Sequence, residues 1–227
     1  MAATSTMNEA AVAAGRWPKA AGRAAAVCLA ASVAGCEVGP AAGTVTALLN
    51  GKDLAGWKVL RKGSFERAGR IYVKDGQLIL EAGQPLTGLT WTGAFPSDGY
   101  EVSLEAMRVE GSDFFCGMTF PAAGGYGTLI VGGWGGQLVG ISNIDGKSAE
   151  ENDTTRIVEF KDRRWYHIDL RVARGRIEVR LDGKELISLA TAGKHLAVWK
   201  QQEPVRPFGL TTWWTVAALR DIRLRRL

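Results

Sequence analysis

The sequence predicts an all-β protein whose antiparallel sheets close into a sandwich or a barrel. Strand-length apolar stretches follow one another with period-two alternation, and clear helical periodicity is scarce. Asp-Gly, Arg-Gly and other glycine-bearing turn signals stand between them, as hairpin connections require. Glycine is abundant at 29 residues, and 46% of the chain is hydrophobic, enough to bury a substantial core.

Residues 1–35 read as a secretory signal. Arg16, Lys19 and Arg23 precede an apolar run over 24–34, and small residues then lead to Cys36. The run is too short to span a bilayer as a helix. Val33-Ala34-Gly35-Cys36 resembles a bacterial lipobox, in which the cysteine is lipidated and becomes the new N-terminus; the alternative is an ordinary cleavable signal. Residues 36–44, rich in Gly, Ala and Pro, form a tether, and residues 45–227 form the domain. The expected location is therefore outside the cytoplasm, on a bacterial membrane facing the periplasm or the cell surface. Removal of the signal and lipidation of Cys36 leave Cys116 alone, so the domain holds no internal disulfide. Cys116 lies in an apolar run and is expected to pack rather than react.

Residues 71–73 and 77–80 flank Lys74-Asp75-Gly76, a hairpin signal. Over 100–107, Tyr100, Val102, Leu104 and Ala106 share one face, and Glu101, Ser103, Glu105 and Met107 share the other. Strands are expected near 114–120 and 126–131. Over 165–172, Tyr166, Ile168, Leu170 and Val172 face one way. Arg174-Gly175 and Asp182-Gly183 then turn the chain twice more. At the end, residues 208–212 are expected to pair with a last strand over 216–224.

The net charge is +5, of which residues 1–35 carry +2, leaving +3 on the remainder. That excess gathers on Arg220, Arg223, Arg225 and Arg226. A nucleic-acid surface needs a basic stripe with stacking or reading groups, and this modest edge does not predict one.

Six motifs in order carry a family likeness. They are Leu49-Asn50-Gly51-Lys52-Asp53-Leu54-Ala55-Gly56-Trp57; Val73-Lys74-Asp75-Gly76-Gln77-Leu78; Leu89-Thr90-Trp91-Thr92 with Gly99-Tyr100-Glu101-Val102; Arg164-Trp165-Tyr166-His167-Ile168-Asp169; Leu181-Asp182-Gly183-Lys184; and Phe208-Gly209-Leu210 through Arg220-Asp221-Ile222-Arg223-Leu224. From about residue 48 onward the chain resembles the 3-keto-disaccharide hydrolase domain family. The resemblance implies a two-sheet, concanavalin A-like jelly roll, an extracytoplasmic setting and a saccharide ligand. Two stretches depart from the family pattern. Tyr126-Gly127 stands where many relatives carry Tyr-Glu, and Thr211-Thr212-Trp213-Trp214 stands where many carry a polar Gln-Asp-His run.

Glycoside hydrolysis usually needs two carboxyl groups, about 5–5.5 Å apart for retention or about 6.5–9.5 Å for inversion. Glu101 and Glu105 share a strand face but lie roughly 13 Å apart, so a pair would need a partner from elsewhere. With the resemblance, the catalytic candidates are Glu101, Glu105, Glu151, Arg156 and His195, acting in the concave sheet face. A 3-keto group acidifies the neighbouring C–H, so elimination would need one base and a polarising partner. The aromatics Trp134, Trp199, Trp213 and Trp214 suit the faces of sugar rings, with Asn143 and Asp145 adding polar contacts. Strand alternation allows at most one of Trp213 and Trp214 to face the core. The oxygen-rich loop Asp145, Glu150, Glu151, Asn152 and Asp153 could hold a divalent cation, though no defined metal or cofactor motif is present. The alternative to an enzyme is a lectin-like module that binds glycan without turning it over.

One acyl chain gives marginal membrane binding, whereas several hold a protein firmly. Replacing Cys36 by Ser should therefore shift the protein from the membrane to the soluble fraction, or leave it uncleaved. A wild-type N-terminus other than Cys36 in the native host would refute the anchor.

Overall fold

A computed structural model describes residues 43–227; the expected signal, Cys36 and the tether through residue 42 lie outside the described residues. The first eight strands are β1 (Val45–Ala47), β2 (Trp57–Val59), β3 (Ile71–Lys74), β4 (Gln77–Leu80), β5 (Leu86–Trp91), β6 (Tyr100–Glu110), β7 (Cys116–Ala122) and β8 (Gly125–Gly133). The remainder are β9 (Leu138–Ser142), β10 (Arg156–Ile157), β11 (Tyr166–Ala173), β12 (Arg176–Leu181), β13 (Lys184–Ala190), β14 (Gly209–Trp213) and β15 (Val216–Arg226). Two short 3₁₀ turns, Gly63–Phe65 and Lys200–Val205, are the only helical pieces among the described residues.

The strands form two antiparallel sheets. The first runs β13-β12-β11-β6-β15-β4-β3, with β1 added along β15; the second runs β10-β9-β8-β7-β14-β5-β2. Together they make the expected jelly-roll sandwich. The hairpin at Lys74-Asp75-Gly76 joins β3 to β4 as its turn chemistry predicts, with Asp75 and Gly76 both at positive φ. The two last strands do not pair, contrary to the sequence expectation. β14 sits between β5 and β7, while β15 sits between β4 and β6 in the other sheet. The short link through Trp214 and Thr215, with Trp214 at φ 49°, carries the chain across the sandwich instead of folding it back as a hairpin.

The main core lies between the sheets. On β6, Tyr100, Val102, Leu104 and Ala106 point inward and are fully buried, while Glu101, Ser103, Glu105 and Met107 point outward. Tyr166, Ile168, Leu170 and Val172 of β11 do the same beside them. The second sheet contributes Met118, Phe120, Leu129, Val131, Ile141 and Leu210. Burying one such side chain contributes roughly 1.5–3 kcal/mol, so a one-residue slip of β6 that turned its inner row outward is strongly disfavoured. Cys116 is buried in this core, and burial pushes its thiol pKa up to about 12. It packs and does not ionise.

Thr212 is fully buried on the Leu210 side of β14, and its hydroxyl has no hydrogen-bond partner. An unmet buried hydroxyl costs about 1–3 kcal/mol. Thr212→Val keeps the shape and removes that cost. Urea unfolding of the variant should show a gain of about 1 kcal/mol; a comparable loss would mean that the hydroxyl is satisfied.

Candidate functional site

The second sheet buries both faces. Its β7 and β9 strands are buried at every position, as is nearly all of β8. On the side away from the first sheet, Leu60, Phe65, Leu86, Phe114, Ile130, Leu138, Ala149 and Val205 form a second apolar cluster. The segments covering this face can lie close because it carries small residues. A Cβ on Gly140 would stand 2.8 Å from the Ala149 carbonyl oxygen, and one on Gly209 would stand 2.5 Å from the Val205 side chain. The Thr90 hydroxyl, within 3.0 Å of the Val205 and Phe208 carbonyls, fastens the end of the 200–205 turn to the sheet.

Where this cover stops, an aromatic groove opens. Phe114, Trp134, Trp199 and Trp213 line a cavity of about 300 Å³ together with Asp113. A contiguous inner cavity of about 130 Å³ shares Phe114, Trp134 and Trp199 and reaches Thr128, Ile130, Ser142, Asn143, Ser148 and Gln202. Trp199 and Trp213 lie with ring centroids 5.3 Å apart, and Phe114 lies 6.2 Å from Trp213. Trp134 and Trp199 remain 43% and 39% exposed, so ring area is free for a ligand. Trp134 rides on a loop between glycines, itself at φ 48°. Gly136, at φ 97°, lets its carbonyl meet the buried Arg108 guanidinium at 3.0 Å. Arg108 also donates to the Phe160 carbonyl at 2.9 Å and pairs with Asp162.

Four of the expected binding residues, Trp134, Asn143, Trp199 and Trp213, thus converge on one groove. Trp214 does not line it. Its ring is 51% exposed beyond the end of β14, while Trp213 packs partly against the second cluster. Asp145 is also outside the lining. Its carboxylate accepts from the His195 main-chain N–H and pairs with Lys194 at 3.0 Å, clamping two loops and holding its pKa below the usual range.

The five expected catalytic residues are not brought together. Glu101 and Glu105 point outward from the first sheet, paired across strands with Arg225 at 2.9 Å and Arg220 at 2.6 Å. An opening of about 480 Å³ on that face is lined by such charges, Glu101, Asp169, Arg171, Glu178, Arg180 and Arg225 among them. Glu151 is exposed and caps its own turn, accepting from the Ser148 hydroxyl and main-chain N–H, which lowers its pKa. Arg156 donates to the Asp153 and Thr155 carbonyls, and His195 is exposed on its loop. Alternation along β6 decided the outward placement of the two glutamates, and local turn closure occupies Glu151 and Arg156. In the oxygen-rich loop, Asn152 donates to the Ile141 and Ser148 carbonyls and accepts from Thr154. Among the described residues, no three His, Cys, Asp or Glu side chains gather as metal ligands.

Two groove residues carry little signal in the sequence. Asp113 is the one carboxyl among the residues lining the two cavities. Burial raises its pKa, more than the main-chain N–H groups of Phe114, Gly135 and Trp134 lower it. Its only local signal is the turn Gly111-Ser112-Asp113 before an apolar run. Gln202 is 1% exposed, and its position over the sheet depends on packing from distant strands.

The two antiparallel sheets define a jelly-roll sandwich domain. The chain belongs to the 3-keto-alpha-glucoside-1,2-lyase-like domain family, whose model matches residues 44–225. No curated protein matches in sequence. Among solved structures, the carbohydrate-binding module CBM66 from Bacillus subtilis is similar, with 14% identity and TM-score 0.52 over 75% of this chain and 95% of its own. The Crh5 transglycosylase in complex with NAG aligns with 11% identity and TM-score 0.54 over 82% of this chain and 84% of its own. A protein of unknown function with a galectin-like fold from Bacillus subtilis aligns with 13% identity and TM-score 0.53, over 76% of this chain and 90% of its own. At these identities the likeness is one of fold.

An L-residue in the left-handed region costs about 1–2 kcal/mol, and a bulky ring gains nothing from being there. Asn tolerates that region. Releasing the strain at Trp134 should offset the loss of the ring's apolar packing, so Trp134→Asn should change stability by less than about 1 kcal/mol while weakening ligand binding. Trp57→Ala, at a buried core ring, should cost about 3–5 kcal/mol. A similarly large loss at Trp134 would make it a structural ring.

Proposed function

We propose that the domain acts on a saccharide held in the aromatic groove, and that it cleaves 3-keto-glycosides by elimination with Asp113 as the base. One observation carries the reading: a single carboxyl of raised pKa stands in a groove walled by three tryptophans. Two-carboxylate hydrolysis needs a second such group at the same ring. Elimination needs one, and a carboxylate whose pKa is raised is a stronger base. The family to which the chain belongs supports this reaction class.

In the proposed step, the ring stacks on Trp134 or Trp199, which places its edge near Asp113. The Asp113 carboxylate takes the proton from C2, next to the C3 carbonyl. The C–H electron pair becomes the C1–C2 double bond, and the C1–O bond breaks. The departing oxygen is protonated from solvent, and Asp113 returns its proton to solvent. The products are an unsaturated 3-keto sugar and a free alcohol. The lipobox-like Val33-Ala34-Gly35-Cys36 supports placing this activity outside the cytoplasm, at a membrane surface. A second reading is a lectin-like domain without turnover. It is favoured by the lining of the groove, in which Asp113 is the one charged side chain.

Turnover of 3-keto-glucosides and calorimetric binding separate the two. Asp113→Asn should lose at least about a hundredfold in turnover and keep its affinity. Binding by the wild type without turnover of any 3-keto-glycoside would leave the lectin reading. The same variant has a pH signature. A carboxyl whose folded pKa is raised holds its proton more tightly when folded. Its contribution to stability is therefore greatest below the ordinary aspartate range and declines as pH rises through the raised value. Asp113→Asn should remove that decline, so its stability gain over the wild type should grow as pH rises above the ordinary aspartate range. A gain independent of pH would contradict the raised pKa.

A further inference from the structure

Gln202 is buried at the inner cavity, yet its side-chain Oε1 has no hydrogen-bond partner. Its Nε2 donates to the Thr211 hydroxyl at 3.2 Å, and that hydroxyl lies 3.4 Å from the Gly117 carbonyl. A threonine hydroxyl has one hydrogen. With that hydrogen directed at Gly117, Thr211 can only accept from Gln202. The amide is therefore turned with nitrogen toward the sheet, and the oxygen is left as an unmet acceptor. A main-chain bond from Gln202 N–H to the Trp199 carbonyl, 2.7 Å, closes the turn that carries both residues. The acceptor and one aromatic wall are thus parts of one short rigid piece.

A buried acceptor without a partner costs stability, and proteins retain such groups where something else completes them. Here the remainder of the inner cavity is mostly apolar ring and Ile130, with Thr128, Ser142, Asn143 and Ser148 at its margin. The Ser142 hydroxyl is already engaged with Asn143 and the Ala149 N–H, and the Ser148 hydroxyl with Glu151. Among the residues lining the two cavities none is basic, and Asp113 is acidic. An anionic sugar would meet a carboxylate and a carbonyl oxygen with no compensating cation.

Building on the saccharide reading of this groove, we propose that Gln202 determines specificity. Its Oε1 accepts a hydrogen bond from one hydroxyl of a neutral sugar ring inserted between Trp134 and Trp199. Thr211 is the positioning residue that holds the amide in that orientation. A site built around a buried hydrogen-bonding group rejects the analogue that lacks the matching hydroxyl, because the group is then left unpaired.

The test uses the full chain in detergent and calorimetric titration. Probes are methyl glucosides, the corresponding monodeoxy series, and methyl glucuronide as the anionic comparison. Gln202→Met should weaken binding of the parent sugar roughly tenfold without lowering the melting temperature. One monodeoxy sugar should bind wild type and Gln202→Met equally, identifying the hydroxyl that is read. Thr211→Val, which leaves Gln202 in place, should show the same selectivity to a smaller degree, and it stands in if Gln202→Met does not fold. If wild type binds these sugars and both variants bind them as well as it does, the Gln202 assignment fails while the groove reading stands. A lower melting temperature with unchanged affinity would assign Gln202 a structural role. Tighter binding of the glucuronide than of the glucoside would overturn the neutral-ligand claim. A wild type that binds none of the probes would overturn the Gln202 assignment, while turnover of 3-keto-glucosides tests the groove reading separately.

Discussion

The second sheet lies between the main core and a second apolar cluster, and this two-sided burial shapes the rest of the molecule. A sheet with one wet face alternates apolar and polar residues. Here β7, β8 and β9 carry apolar, small or hydroxyl residues on both faces. Their outer face must therefore be covered, and the cover must come from connections rather than from a third sheet. The 143–155 loop, the 200–205 turn and the 60–68 segment supply it. Glycines 140 and 209 let two of these segments approach at backbone distance. The groove is the place where that cover ends.

Ordering of the groove follows from the same cover. Arg108 terminates the inner row of β6 as a buried cation, and it is satisfied by the Gly136 and Phe160 carbonyls and by Asp162. One guanidinium thus ties the Trp134 loop to the sandwich and to the segment before β11. On the opposite wall, the 3₁₀ turn fixes Trp199 and Gln202 together, and Thr90 fixes the end of that turn. The aromatic walls are consequently held by polar contacts buried beneath them. The outer face of the first sheet contrasts with this. Its Glu and Arg side chains pair across strands at partly exposed positions, where such pairs contribute typically under about 1 kcal/mol and present no flat apolar surface.

Alternation and turn chemistry made much of the architecture legible in the sequence. The inner rows of β6 and β11, the 74–76 hairpin and the packing role of Cys116 all follow from local pattern, because a strand side chain's face is set by position parity alone. Aromatic residues between glycines or near the final strands were legible as candidate platforms for a related reason. An exposed ring in a polar or glycine-rich setting stands out from core aromatics. The last two strands look like partners in the sequence, since proximity along the chain resembles a hairpin, and only the pairing of β14 with β5 and β7 shows the crossing.

By itself the sequence determined the all-β class, the strand faces and the family likeness, all properties of local order along the chain. Which charged groups face the groove was decided only by the tertiary structure. Glu101 and Glu105 lie in a strong local pattern, yet their sheet turns them to solvent on the far side. Asp113 and Gln202 lie in weak local patterns, yet strands distant in sequence bring them to the groove. The raised pKa of Asp113 and the unmet oxygen of Gln202 are consequences of burial, and burial is set by what the rest of the chain packs around a residue.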